Sequence, residues 1–534
     1  MTCRAWTLKE FDRTALKELT AAIAEQNTEE LEQNALDDEP WSEQKYAATL
    51  AAQQKEAGLL AGVLAARGIT DPAEALTLLA GEEELSDPML LTDMDKACAR
   101  ILEAIDKEQT IVVYGDYDVD GVTSSHLFLT ALRRVGAKVD VVIPHRIQDG
   151  YGLSLHLLQQ AKEDGVDTIL TCDNGIAAID EIAWAKAQKM TVLVTDHHAV
   201  PFEEHEGRRT EKKSLADAVV NPHQQDCGYP YKELCGAGVA WNVIRVLYEN
   251  YDMDKREAED LLDFVAMATV CDVMSLTGEN RILVKEGLKR IRHTKNIGLQ
   301  ALMQACNVQP ENISAYHFGY VLGPCVNATG RLDTARHALR LFETGQETEA
   351  EEIARDLVDL NQERKELTLQ GVEMAKKLCE EGGYENDPVL VLFLPDVHES
   401  IAGLIAGIIR EMYNRPVFVL TRGESKAAED RLKIIPCMKI CVDVWNCLQN
   451  LADIRWRQGY PFQKKMWKNS AEKLMKTVRL RWRKSARIFT LTWPCRWDMR
   501  VRNWSISLHF WSRLEKTIHL HCLQTGICPS AACG

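Results

Sequence analysis

Ile111-Val112-Val113-Tyr114-Gly115-Asp116-Tyr117-Asp118-Val119-Asp120-Gly121 sets a β-branched, apolar run directly against three carboxylates. A short apolar run of this kind suits a buried strand, and the glycine and aspartates after it suit a turn. Three further β-rich runs follow, Val139–Pro144, Thr168–Thr171 and Thr191–Thr195, with helical stretches between them. Strands spaced by roughly 25 residues and separated by helices read as βαβ units. The expected fold class is therefore α/β, with a parallel sheet.

Three of these strands end in hard ligands. The first is followed by Asp116, Asp118 and Asp120, the third by Asp173 in Thr171-Cys172-Asp173-Asn174-Gly175, and the fourth by Asp196, His197 and His198. Parallel sheets bind their ligands in the crevice beyond the carboxyl ends of the strands. Three strand ends thus aim at one place, and no single motif carries the inference alone. Two nearby divalent ions account for the residue types. Carboxylates neutralise and bridge the ions, while imidazole favours manganese-like ions over calcium. Asp118, Asp120, Asp173 and His197 are the expected direct ligands. Asp272 is a plausible fifth, because an acid after the apolar stretch Ala268-Thr269-Val270-Cys271 is costly to bury unpaired. Taken alone, Asp272 reads more readily as a structural acid at a helix end, and Asp173 can also be read as a turn residue with Asn174-Gly175. An EF-hand loop is excluded, since a strand precedes the aspartates and the twelfth position is Leu127. Gly236-Ala237-Gly238 reads as a packing turn rather than a dinucleotide loop.

Taken in order, Asp116–Gly121, Asp173-Asn174-Gly175, Asp196-His197-His198 and Ala268–Asp272 resemble the four motifs of the DHH phosphoesterase superfamily. Finer strings are similar to its single-strand-specific DNA exonuclease branch. They are Val112–Asp118, Asp149-Gly150-Tyr151-Gly152, Leu234–Ala240, Gly323–Leu332 and His398–Gly403. The resemblance runs from near the N-terminus to about Lys426. It implies a nuclease dependent on Mn2+ or Mg2+, with two metals, that degrades single-stranded DNA in the 5′-to-3′ direction in recombination and repair. By position, Asp118, Asp120, Asp173, His197 and Asp272 match metal ligands. His198 matches a residue beside the scissile phosphate, and Asp116 a ligand or a group behind the ligands; these two are the expected catalytic groups. Arg146 and Arg331 match phosphate contacts, a task suited to a planar, permanently charged guanidinium. Implied partners are single-stranded DNA, a helicase and a single-strand-binding protein. Two other readings stay open: another DHH hydrolase, acting on oligonucleotides or cyclic dinucleotides, and a non-catalytic DNA- or partner-binding protein.

Composition divides the chain. No apolar run is long enough to span a membrane, and charges at Glu10, Asp12 and Arg13 interrupt any secretory signal. Sixteen cysteines without a regular framework fit reduced thiols and a cytoplasmic location. The expected organisation is an N-terminal helical region over 1–75 and a DHH domain over 76–335. A helical linker over 336–386 and the start of a DHH-associated domain over 387–426 follow. Gln26–Pro40 reads as a mobile segment.

Beyond 426 the character changes. Residues 427–534 carry 20 Lys and Arg against 7 Asp and Glu, a net of +13, while the whole chain is −16. Eight of its 12 tryptophans fall there. The resemblance also implies a Gly-Ser-Gly-Arg-Ser stretch and a later Gly-Gly-His-Pro stretch, and both are missing. Codons for Lys426–Leu432, chosen as AAG GCA GCG GAA GAT CGA TTG, regroup one base earlier to Gly-Ser-Gly-Arg-Ser-Ile. Codons for Leu451–Gly459 regroup in the same way to Gly-Gly-His-Pro-Met-Ala-Ala-Gly. Residues 427–534 are thus expected to be an out-of-frame tail, disordered or misfolded, and activity to suffer with the loss of the second domain.

Overall fold

Runs rich in Val, Ile and Thr alternate with helix-forming stretches, and in the computed structural model they form the expected sheet. The structure describes residues 12–37, 43–80, 84–150, 152–205, 208–384, 387, 389–422 and 432–436. The chain divides into two compact units, Met1–Leu85 and Ser86–Gly534.

The first unit holds three helices, α1 (Arg13–Asp37), α2 (Glu43–Ala66) and α3 (Pro72–Ala80). Leu19, Ile23, Ala57, Ala61, Leu64 and Ala75 form its apolar cluster. Of the expected mobile segment Gln26–Pro40, Gln26–Asp37 is helical as part of α1, and 38–40 lie outside the described residues. No glycine or proline interrupts that stretch, so nothing in it ends a helix.

The second unit opens with α4 (Met94–Asp106), β1 (Thr110–Tyr114), α5 (Val119–Arg134), β2 (Lys138–Val142), α6 (Leu155–Glu163), β3 (Thr168–Cys172), α7 (Ile179–Ala187) and β4 (Thr191–Thr195). A hairpin of β5 (Phe202–His205) and β6 (Arg208–Glu211) precedes β7 (Ala218–Val220). The main sheet runs β2-β1-β3-β4-β7 and every pairing is parallel. From β1 the chain goes outward to β2 and then returns to β3 on the other side. The crevice between β1 and β3 is therefore the switch point at which such sheets bind ligands. Three residues are too few to display a period, so β7 left no trace in the sequence pattern.

A helical layer follows: α8 (Gly236–Asn250), α9 (Lys255–Glu259), α10 (Leu262–Cys271), α11 (Gly278–Arg290), α12 (Ile297–Ala305), α13 (Ala315–His317), α14 (Gly323–Leu332) and α15 (Ala335–Glu343). A π-helical turn, Phe318–Leu322, joins α13 to α14. The long helix α16 (Glu347–Gly382) then passes unbroken through Gly371. A Cβ at Gly371 would lie 2.2 Å from Ile405 Cδ1, so the glycine permits close packing there. Ile405 belongs to α17 (Glu399–Tyr413), which packs with β8 (Leu390–Phe393) and β9 (Val417–Arg422) into a separate apolar cluster.

β10 (Leu432–Pro436) pairs antiparallel with β9. These five residues lie within the stretch expected to be unstructured, and they form a strand instead. The run Leu432-Lys433-Ile434-Ile435 has high β propensity whatever frame produced it. The rest of 427–534 lies outside the described residues, as do both stretches bearing the missing motifs. Among the described residues no helix is long and apolar enough to cross a membrane.

Candidate metal centre

The chain leaves β1 at Tyr114 and turns sharply into α5. Gly115 and Gly121 permit that turn: a Cβ at Gly115 would meet Ser125 Oγ at 2.0 Å, and one at Gly121 would meet Asp116 backbone atoms at 2.5 Å. Asp118 caps α5, its Oδ1 accepting from the Gly121 amide at 3.0 Å. Asp116 and Asp120 are buried on either side of it.

At the end of β3, Asp173 adopts a left-handed backbone, φ 60°. Its neighbours hold that conformation. Asn174 Nδ2 donates to the carbonyls of Cys172 (2.9 Å) and Tyr114 (3.1 Å), tying the ends of β3 and β1 together. At the end of β4, Asp196 organises the histidines. Its Oδ1 accepts from the amides of His197 (2.7 Å) and His198 (3.0 Å), and lies 2.8 Å from His198 Nδ1. Its Oδ2 accepts from the Ile176 amide at 2.9 Å. Asp272 is the C-cap of α10.

These elements bring seven of the expected residues together. Asp116, Asp118 and Asp173 form one potential ligand group, and Asp120, His197 and Asp272 form another. Asp173, His197 and His198 form a third that overlaps both. Within each group one donor atom from every residue lies within 4.8 Å of the others. His197 Nε2 sits 3.0 Å from Asp173 Oδ1, 3.6 Å from Asp120 Oδ2 and 3.7 Å from Asp272 Oδ2.

Protein groups alone leave this concentration of acids uncompensated. Burial, reinforced by Asp118, pushes Asp116 up to about 8, and burial with Asp120 pushes Asp272 up to about 8. Burial raises Asp120 and Asp173 as well, each aggravated by its acidic neighbours. Burial lowers His197. Asp116 Oδ1 and His197 Nε2 are buried polar atoms that make no hydrogen bond. Such groups are stable as ligands when cations supply the missing positive charge. The donor set, carboxylate with imidazole, fits manganese or magnesium.

Asp196 differs. Burial works against its charge, but the bonds from His198 and His197 hold it below the usual carboxylate range. His198 responds in kind. Burial opposes its protonation, yet Asp196, Asp272 and Asp120 raise it to about 9. Asp196 is thus a positioning residue, a role its place beside the histidine pair did not reveal.

The two arginines stand nearby. Arg146 lies over the Tyr117 ring at 4.4 Å. Burial, and then the charge of Arg146, lower Arg331 to about 10, and its Nη1 donates to the Ser400 carbonyl at 2.7 Å. Ser400 Oγ donates back to the Arg331 carbonyl at 2.8 Å. Arg331 thereby joins α14 to the first turn of α17.

Two supports went unrecognised in the sequence. Gly236-Ala237-Gly238 is the N-terminus of α8, not merely a packing turn: the amides of Gly236 and Ala237 donate to Asp120 Oδ2 (2.6 Å) and Oδ1 (2.7 Å). A Cβ at Gly236 would lie 2.6 Å from Asp173 Cβ and 3.1 Å from Asp120 Oδ2, so only glycine fits between these two candidate ligands. Asn327 Oδ1 accepts from the Val119 amide at 3.2 Å, and a Cβ at Gly330 would lie 2.3 Å from the Tyr117 carbonyl oxygen. The motif around Asn327 therefore braces the aspartate turn from behind.

Residues 110–269 match the model of the DHH family, N-terminal domain. Over 353 residues the chain is 36% identical to the single-stranded-DNA-specific exonuclease RecJ of Haemophilus influenzae, covering 64% of this chain and 60% of that one. It is 34% identical over 370 residues to the Bacillus subtilis protein of the same name, covering 69% and 45%. A crystal structure of exonuclease RecJ bound to manganese superposes with a TM-score of 0.58 at 29% identity, covering 68% of this chain and 87% of that one. RecJ of Thermus thermophilus in complex with Mn2+ gives 0.59 at 27% identity, covering 74% and 54%. The chain thus spans between 45% and 60% of the length of these two curated relatives.

Proposed function

From the match of residues 110–269 to the DHH family model, we propose that this chain is a DHH-family, metal-dependent exonuclease hydrolysing phosphodiester bonds of single-stranded DNA in the 5′-to-3′ direction. The observation that carries the reading is the pair of ligand groups, Asp116/Asp118/Asp173 and Asp120/His197/Asp272, side by side at the β1–β3 crevice. Asp173 Oδ1 lies 3.0 Å from His197 Nε2, so it links the two. Single-stranded-DNA-specific exonucleases are the relatives named above, and manganese is bound in the similar structures.

Asp118, Asp120, Asp173, His197 and Asp272 would hold two Mn2+ or Mg2+ ions, with Asp116 as a further ligand or a group behind them. When bound, the ions supply an activated water and offset charge on the leaving oxygen. The chain's own residues do the rest. The α8 amides orient Asp120 and work against the burial that raises it, since a helix N-terminus favours an anion. Asp196 fixes the orientation of the His198 ring beside the cluster. A protonated His198 is suited to hydrogen-bond a phosphate oxygen beside the scissile bond. Arg146 and Arg331 are suited to the neighbouring phosphates.

DNA repair and recombination in the cytoplasm, alongside a helicase and a single-strand-binding protein, is the proposed setting. The domain limits proposed are 76–335 for the catalytic domain and 387–426 for the opening of the second. An out-of-frame origin for 427–534 is also proposed. Resequencing the locus should find one base lost near the Lys426 codon; an intact reading frame with this same tail would sink that idea.

The function itself is tested with 5′-labelled single-stranded oligonucleotides and Mn2+, using Asp173→Ala as the control. Stepwise release of mononucleotides from single strands, absent with duplex, is expected. Preferential hydrolysis of a cyclic dinucleotide would overturn the proposed substrate.

A further inference from the structure

Two of the most exposed large hydrophobic side chains among the described residues are aromatic and adjacent. Tyr316 is 62% exposed and Tyr320 67%. Their rings stack on each other, centroids 5.1 Å apart and planes 24° from parallel. One turn of helix separates them, on α13 and the π-helical turn that follows. Phe318 and Leu322, on the same turn, are fully buried. The packing of this turn thus relies on Phe318 and Leu322, and the tyrosines project from the opposite side.

The turn that carries them is clamped to the metal centre. Cys271 Sγ donates to the Phe318 carbonyl at 3.3 Å, and Cys271 immediately precedes Asp272. A Cβ at Gly319 would lie 3.4 Å from Val270 Cγ1, and one at Gly323 only 2.3 Å from Cys271 Sγ. The glycines let the turn lie directly on the last residues of α10. At its other end the turn runs straight into α14, which ends at Leu332 and carries Asn327, Gly330 and Arg331. The two rings therefore stand on a ledge bonded at one side to the helix that presents Asp272. On the other side it continues into the helix that presents Arg331. π-Helical turns inside helical segments occur frequently at functional sites.

We infer that Tyr316 and Tyr320 form a stacking platform for an unpaired base of a single strand held in the crevice. This rests on the proposed function and adds a basis for its strand selectivity. Bases of a single strand expose their π faces, and every base has one, so stacking on aromatic rings is tolerant of sequence. Bases of a duplex are already stacked within their own helix and cannot offer those faces. A stacked tyrosine pair is preorganised, because each ring limits the freedom of the other before a base arrives. The charge of the chain, −16, makes a nonpolar means of holding a polyanion useful away from the metals.

The test compares Tyr316→Ala/Tyr320→Ala with Tyr316→Phe/Tyr320→Phe in the full chain. For a 20-nucleotide oligothymidylate, the alanine pair should raise KM about tenfold while kcat changes little, and the phenylalanine pair should behave as the parent. An abasic nucleotide moved along the strand should weaken the parent at one position, by a similar factor, and have no further effect there in the alanine pair. A parent that shows no abasic-sensitive position, or an alanine pair that retains the parental KM, overturns the platform. If the chain cleaves nothing with Mn2+, equilibrium binding of the same oligonucleotide decides instead. Weakened binding by the alanine pair, rescued by phenylalanine, keeps the platform while the nuclease reading fails. Binding indifferent to the rings sinks it.

Discussion

Along α5 ionisable side chains are buried in two opposite ways. At its N-terminal end the buried Asp120 joins Asp173, His197 and Asp272, and protein groups do not balance the charge of the acids. Two turns further along, His126 is buried against Phe264 of α10 and Phe342 of α15, with ring centroids at 4.4 and 5.8 Å. There burial, helped by Arg133, lowers the imidazole to about 3, so it packs as a neutral ring. α10 spans the same two regions, with Asp272 at one end and Phe264 near the other. The comparison teaches how a buried titratable group is tolerated. It either discharges by titration, or it stays charged because a ligand of opposite charge is due. The first solution yields an inert core and the second a binding site.

The largest expected effect comes from removing the group that links the two metal groups. Asp173→Ala should reduce Mn2+-dependent turnover on the order of a thousandfold, measured by release of 5′-labelled mononucleotide. Replacing His126 by Leu should leave that turnover largely intact, which would show that the two regions are functionally separate.

The pH response should separate them again. His126 has a folded value of about 3, below the 6.5 of the free side chain. Its contribution to stability is complete above that unfolded value and is lost as pH falls through the folded one. Urea unfolding followed from pH 7 to pH 3 should show a loss of a few kcal/mol from this group. His126→Leu should flatten it. Asp263, at the start of α10, carries the opposite sign. Burial raises it from 3.8 to about 6, so stability is lost as pH rises between those two values and levels off above them, and Asp263→Asn should relieve that cost.

Metal supply should act on the first region alone. At a concentration a hundred times Kd, one bound ion stabilises by about 2.7 kcal/mol. Calorimetry should record a higher Tm with Mn2+ than with EDTA. Asp173→Ala should shrink that gap, while His126→Leu should preserve it. Smaller again is the effect of the hydrogen bonds behind the ligands. Asp196→Asn weakens the bonds that orient His198 and should cost about 10- to 100-fold in turnover. Gly236→Ala places a methyl 2.6 Å from Asp173 Cβ, and should cost about 1–3 kcal/mol in stability with weaker Mn2+ binding.

Much of the site is legible in the sequence, because strand-end aspartates and histidines follow periodic apolar runs. Val112-Val113-Tyr114 and Val192-Leu193-Val194 have few alternatives to buried strands, and the acids after them have one crevice to face. The parallel sheet and the convergence of Asp116, Asp118, Asp120, Asp173 and His197 follow from local pattern. Asp272 did not have that support. It caps a helix rather than ending a strand, and only its nearness to His197, 3.7 Å, places it with the others.

What tertiary structure alone decided is the set of groups that hold those ligands in place. Gly236 meets Asp120 across 116 positions of sequence, Asn327 meets Val119 across 208, and Arg331 meets Ser400 across 69. No period or turn signal spans such separations. A backbone amide also carries no mark in the residue name, so the α8 N-terminus was indistinguishable from a packing turn. The sequence by itself determined which side chains are aimed at the crevice, because strand periodicity and turn chemistry are local. Tertiary packing determined which of them remain charged, which are held and which, like His126, are silenced, because burial and long-range hydrogen bonds set those outcomes.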